Sequence, residues 1–251
     1  MHAKQHINYI NDLPRYGLGI VFLWFGIDKF LIHEFYVSWF SATQRVTMLL
    51  PSPDLSLSIY VIGVVELAIA AFLFSGIKIR LVSIVVIIWL VVILSTAQYP
   101  SSFPQDIGLA GIAVMLALTN VTWKNAHVDK FLNYSRISRY SISAVLILWA
   151  IDHGVNYERH IGWMQLASPM IRDLGANDLM ILIASVAFVE FVLAVMISIG
   201  KVPATKYLIA TTVFFVFAIL ILGPPANNHQ TIGLAFVTAW LAFVAFNKNL
   251  K

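Results

Sequence analysis

There is no cysteine anywhere in the 251 residues of this chain. Disulfides, thiol relays, CxxC redox chemistry and Fe–S clusters held by the chain itself are thereby excluded. Charge is nearly as scarce: Asp, Glu, Lys and Arg make up 11% of the residues, against about 25% in a soluble domain. Hydrophobic residues reach 60% and the mean hydropathy is +0.84. Water is therefore not the solvent for most of this surface. The first apolar run is a full span without an A-x-A-like cleavage site, so no signal peptide is expected.

What fills the chain instead is long apolar runs, at about 13–32, 55–75, 79–98, 106–121, 139–155, 178–199, 203–222 and 231–247. Each approaches the roughly 20 residues that cross a ~30 Å hydrocarbon core. The expected class is an all-α integral membrane protein with eight transmembrane helices. Arg15, Lys78, Arg80, Lys124, Arg139, Lys206 and further basic residues, 12 of the 16 Lys and Arg, fall on one side of such an array. The positive-inside rule makes that side cytoplasmic, which places both termini there. The pI near 9.3 then records topology, with the lipid bilayer as partner and no nucleic acid.

The chain also repeats at an offset of 124 residues. Arg15-Tyr16 recurs as Arg139-Tyr140, Asp28 as Asp152, Glu34 as Glu158, Trp39 as Trp163, Asp54 as Asp178, Glu66 as Glu190 and Gly76 as Gly200. Repetition at fixed offset is settled before any fold assignment. It predicts two tandem parallel four-helix bundles, residues 1–123 and 139–251, joined by a cytoplasmic linker at 124–138. Four spans per half give both halves one orientation about an axis along the membrane normal. The outer segments 34–53 and 157–177 each carry the matched Trp and read as short interfacial helices.

Several polar residues have structural explanations. Asp54 and Asp178 stand directly before apolar spans and read as helix N-caps, as does Asp106. Arg15 and Arg139 mark the cytoplasmic interface. Gly19 and Gly26 suggest close helix packing. Asp28, Lys29 and Glu66, with Asp152, His153 and Glu190, are harder to dismiss. An ionisable group in the hydrocarbon costs at least ~2.5 kcal/mol and faces the bundle interior. Counting 1.5 Å per residue puts Asp28 and Glu66 about 8 Å apart in depth, a gap that a Lys side chain can bridge. Each half is expected to hold an acid–base–acid cluster. Such a cluster is either an ion pair pinning two spans together or a proton site. The exchange of Lys29 for His153 favours the second half for proton chemistry, since His titrates near neutrality. His160 and His229 are weak metal candidates, and their spacing matches no compact metal motif.

Arg15, Gly19, Phe22, Trp24, Gly26, Lys29 and Phe30, followed by Ser52-Pro53-Asp54, Glu66, Gly76 and Arg80, resemble the DoxX-like membrane proteins (DoxX/DoxD and the YkgB/RclC type) over roughly residues 13–120. The second half resembles them only through Arg139, Asp152, Glu190 and Gly200, and departs at His153 and Ala150. The resemblance implies four-helix bundles of the plasma (inner) membrane in a respiratory or redox setting, with a hint of quinone contact and no catalytic residue. Two functions follow as expectations: a quinone-associated subunit without its own redox centre, haem included, or a structural subunit of a membrane complex. Partner subunits or a homo-oligomer are expected in either case. A small-solute or ion transporter is a third alternative, weakened by the lack of a Gly/Pro break at mid-span.

Overall fold

The computed structural model describes residues 12–42, 54–96, 103–119, 128–167, 171, 173–199, 204–222 and 228–248, and among them no strand occurs. The helices are α1 (Leu13–Leu31), α2 (His33–Ala42), α3 (Leu55–Ser75), α4 (Ile79–Thr96), α5 (Phe103–Thr119), α6 (Val128–Val155), α7 (Tyr157–Ala167), α8 (Ala176–Ile199), α9 (Ala204–Leu222) and α10 (Asn228–Lys248). Two of them, α3 and α8, are long and apolar enough to cross a membrane. Only 39% and 28% of their apolar windows are buried inside the protein, so most of that surface faces outward, as on a lipid-facing helix. The apolar stretches of α4, α5, α9 and α10 are shorter, and α1 carries Arg15, Asp28 and Lys29. Eight full spans are thus more than the described helices establish.

Local chemistry accounts for the ends. Pro14 occupies the first turn of α1, where its missing N–H costs nothing. Asp54 caps α3 as expected, accepting a hydrogen bond from the Leu57 N–H at 3.0 Å. Asp178 and Asp106 do not cap: they lie inside the first turns of α8 and α5. There an acid still complements the helix dipole. Gly76 ends α3 in the left-handed region, φ 72°. Arg15 is no idle interface marker. Its buried guanidinium donates to the carbonyls of Leu73 and Phe74 at the α3 terminus and pairs with Asp12 at 3.1 Å. A cation satisfying the last orphan carbonyls of a helix is a favourable arrangement.

The expected linker is largely helix. Residues 128–138 belong to α6, and 120–127 lie outside the described residues. No Pro or Gly occurs between Val128 and His153, so nothing stops the helix. Short helices, α2 and α7, occupy part of the two segments expected to be interfacial, with residues 43–53, 168–170 and 172 outside the described residues. Each begins one residue past a break, at Ile32 and at Asn156.

Packing departs from two closed bundles. α1 packs most extensively on α3 and then on α10, while α6 packs on α8 and on α5. The first helix of each half thus seals against the last helix of the other. One apolar core runs through both halves, from Leu18 and Phe22 through Leu109 and Val145 to Phe215 and Trp240. Small residues permit both seams. A Cβ on Gly233 of α10 would lie 2.5 Å from Val21 Cγ2 of α1, and one on Gly108 of α5 would lie 2.6 Å from Val145 Cγ2 of α6. Where apolar surface alone gives no preference between helix partners in lipid, such close backbone approach decides who packs with whom.

Candidate functional site

In the first half, α1 and α3 cross where two glycines meet. A Cβ on Gly26 would be 3.0 Å from the Gly63 carbonyl oxygen, and one on Gly63 would be 3.1 Å from Lys29 Cβ. That approach brings Lys29 Nζ to 2.6 Å from Glu66 Oε2, with both side chains at most 5% exposed. The ammonium also donates to the Phe25 carbonyl, 3.2 Å away and one turn back along α1. It lies over the Tyr36 ring at 4.7 Å from the centroid, where the ring quadrupole adds attraction. The Trp89 indole N–H donates to Glu66 Oε1 at 3.3 Å. Asp28 is buried beside this group with Trp24 as its hydrogen-bonding neighbour. Burial, and next the Asp28 and Glu66 carboxylates, hold the Tyr36 phenol above its ordinary pKa.

The second half is built differently. His153 Nδ1 lies 2.8 Å from Glu190 Oε2, and the Glu190 side chain is 1% exposed. Asp152 turns away from that pair. It accepts from Asn156 Nδ2 at 2.6 Å and from Arg159 Nη2 at 2.7 Å, and it faces His160 Nε2 at 2.8 Å. The His153 and His160 rings stand 4.4 Å apart, centroid to centroid, inclined by 60°. The result is a continuous line of polar side chains, Glu190–His153–His160–Asp152–Arg159, from the α6–α8 packing to the α6–α7 corner.

Both expected base–acid pairs are therefore brought together, and each expected second acid lies beside its pair without joining it. Among the described residues no group of three His, Asp or Glu side chains is arranged to hold a metal ion. His160 is committed to Asp152, and the His229 side chain lies outside the described residues. Sequence reasoning missed Asn156 and Arg159, four and seven residues after Asp152, which reach it across the break between α6 and α7. It also missed Trp89 and Tyr36. Trp89 is 23 residues from Glu66, and no local pattern announces it.

An open apolar groove of about 330 Å³ lies between α9 and α10, lined in part by Thr205, Ile209, Val213, Ala239, Phe243 and Phe246. It has no ionisable lining group, so it suits an isoprenoid or acyl chain and not a headgroup that exchanges protons.

A family model described as DoxX matches residues 12–98. The matched stretch holds Asp28, Lys29, Glu66 and Trp89 and leaves the His153–Glu190 group outside. No curated protein and no solved structure matches the chain. Residues 12–98, the stretch that holds the Lys29–Glu66 pair, are thus a DoxX-like segment, and two outward-facing apolar helices of spanning length accompany it in the chain.

Proposed function

We propose that the protein is a multi-pass plasma-membrane subunit serving a quinone-linked redox complex, contributing proton handling and quinone contact while a partner carries the redox centre. In this reading the chain is a duplicated unit of eight spans with both termini cytoplasmic, and its second half is the re-purposed one. The observation that carries it is the His153–Glu190 pair, its carboxylate buried, at the positions where the first half has Lys29 and Glu66. An ammonium against a carboxylate makes a fixed ion pair, whereas imidazole is the side-chain type suited to proton exchange near neutrality. The α9–α10 groove fits the apolar tail of a quinone, whose headgroup, held outside the groove, would supply the redox chemistry. This chain would exclude water and hold a proton at His153.

Purification in mild detergent, with identification of co-purifying quinones and partner chains, tests the proposal. A quinone together with a redox-active partner is expected. A preparation with lipid alone, and no quinone bound on reconstitution, would overturn it. The second reading, a structural or assembly subunit, is favoured by the Lys29–Glu66 pair, which pins α1 to α3. A partner complex that keeps full activity when His153 is replaced by Lys would support that reading instead.

A further inference from the structure

We propose that His153 and His160 hold one transferable proton between them, forming a relay from the buried Glu190 carboxylate to the Asp152 carboxylate at the α6–α7 corner. The inference rests on the reading of the second half as the half that handles protons. His153 uses Nδ1 toward Glu190, and His160 uses Nε2 toward Asp152. His153 Nε2 and His160 Nδ1 are then left for exchange, on rings whose centroids are 4.4 Å apart. The transfer breaks an N–H bond on one imidazole and forms one on the other, directly or across a water. Neither ring needs an oxidant or reductant.

Charge balance sets the occupancy at one proton. The groups facing the two rings are Asp152 from α6, Arg159 from α7 and Glu190 from α8. On the other helices packed against α6, Asp106 of α5 is engaged by Gln230 of α10 at 2.9 Å. Two carboxylates and one guanidinium lack one positive charge, and a single imidazolium supplies it. A second proton would set two imidazoliums side by side in a half-buried site. Consistent with this, burial first and His153 next hold His160 below its ordinary pKa.

The relay has an outer end. The Arg159 side chain is 44% exposed, and a Cβ on Gly154 would meet nothing within 4 Å. At the matched positions of the first half stand Lys29, Ile32, Phe35 and Tyr36 in place of His153, Asn156, Arg159 and His160. Three of the four are unable to pass a proton near neutrality, and the fourth is a Lys fixed by Glu66.

The test is imidazole ¹⁵N NMR on histidine-labelled full-length protein in lipid nanodiscs, titrated from about pH 5 to 8. His153 and His160 should share the first proton, with a second macroscopic step at least about one unit lower. In His160→Tyr, which installs the first half's residue, His153 should titrate in a single displaced step. In Asp152→Asn, the resting proton should move toward His153. Independent titration of the two rings in the wild type, or a His153 profile unchanged by both variants, overturns the relay. Thermal unfolding of each variant checks that it folds, and Asp152→Asn carries the test if His160→Tyr does not. Nothing in the measurement needs a redox partner. A relay that titrates as expected in a protein that binds no quinone leaves this inference standing and overturns the quinone-linked function alone.

Discussion

Lys29 reaches Glu66 by folding back along its own helix: its ammonium binds the Phe25 carbonyl one turn earlier and the Glu66 carboxylate 2.6 Å away. The pair therefore joins two helices through the length of one side chain. His153 is shorter and meets Glu190 directly at 2.8 Å. The same two positions thus hold an ammonium–carboxylate lock in one half and an imidazole–carboxylate contact in the other.

Removing one partner of the lock should be costly, and removing both should not. Glu66→Ala leaves a buried ammonium and is expected to destabilise by about 3–5 kcal/mol. Lys29→Met combined with Glu66→Leu should recover most of that loss, since an apolar pair of similar volume avoids the desolvation penalty. Unfolding in detergent, arranged as a double-mutant cycle, reads the coupling. Equal destabilisation by the single and double variants would contradict the ion-pair account.

His153→Lys should leave stability near wild type while abolishing the pH-dependent activity of the assembled complex. The substitution rebuilds the first half's pair in the second and removes titration near neutrality. Activity measured across about pH 5–8 decides the matter. Full activity over that range would make the second pair an anchor like the first.

Stability should fall on acidification through His160. Its folded pKa lies below the ordinary 6.5, by burial first and then by the neighbouring His153. Between the two values the unfolded chain binds more protons, so stability rises with pH in that window. The contribution is whole above about 6.5 and is lost as pH falls through the folded pKa. His160→Tyr should flatten the low-pH limb of a melting-temperature profile; an unchanged slope would show that His160 is not its source.

The α1–α10 seam should tolerate no side chain at Gly233. Gly233→Ala places a Cβ 2.5 Å from Val21 Cγ2, and overpacking of this kind costs about 1–3 kcal/mol. Val21→Ala in the same chain should restore most of the stability, because it removes the clashing methyls. Failure of that rescue in a thermal unfolding assay would place the strain elsewhere.

Topology is open to the simplest check. A reporter fused after Lys251 should read as cytoplasmic, as the 12-to-4 division of Lys and Arg implies. An extracytoplasmic signal would sink the eight-span arrangement.

Much of the site was legible because charge in an apolar chain is conspicuous. Glu66 and Glu190 stand alone in runs of Val, Leu, Ala and Phe, and a lone carboxylate in hydrocarbon must find a base. Lys29 and His153 were the bases within reach by depth counting. Their orientation was not legible. Asp152 and His153 are adjacent, yet a helix turns successive side chains about 100° apart, so one faces α8 and the other faces α7. Which acid each base would take depended on that rotation. Asp106 and Asp178 were misplaced as caps because helix starts shift by a residue or two without altering the apolar pattern.

By itself the sequence determined the solvent, the helical class and the identity of the charged partners, since these follow from composition, from periodicity and from the cost of an unpaired charge in an apolar medium. Only the tertiary structure decided that α1 seals against α10 and α6 against α5, making one shared core of the two halves. Apolar helices in lipid have no hydrophobic preference among partners, so the choice falls to steric fit at Gly108 and Gly233. It likewise decided that His160 stands beside His153, because the break at Asn156 turns α7 back toward the end of α6, and that turn is set by packing in three dimensions and not by the spacing of the two histidines.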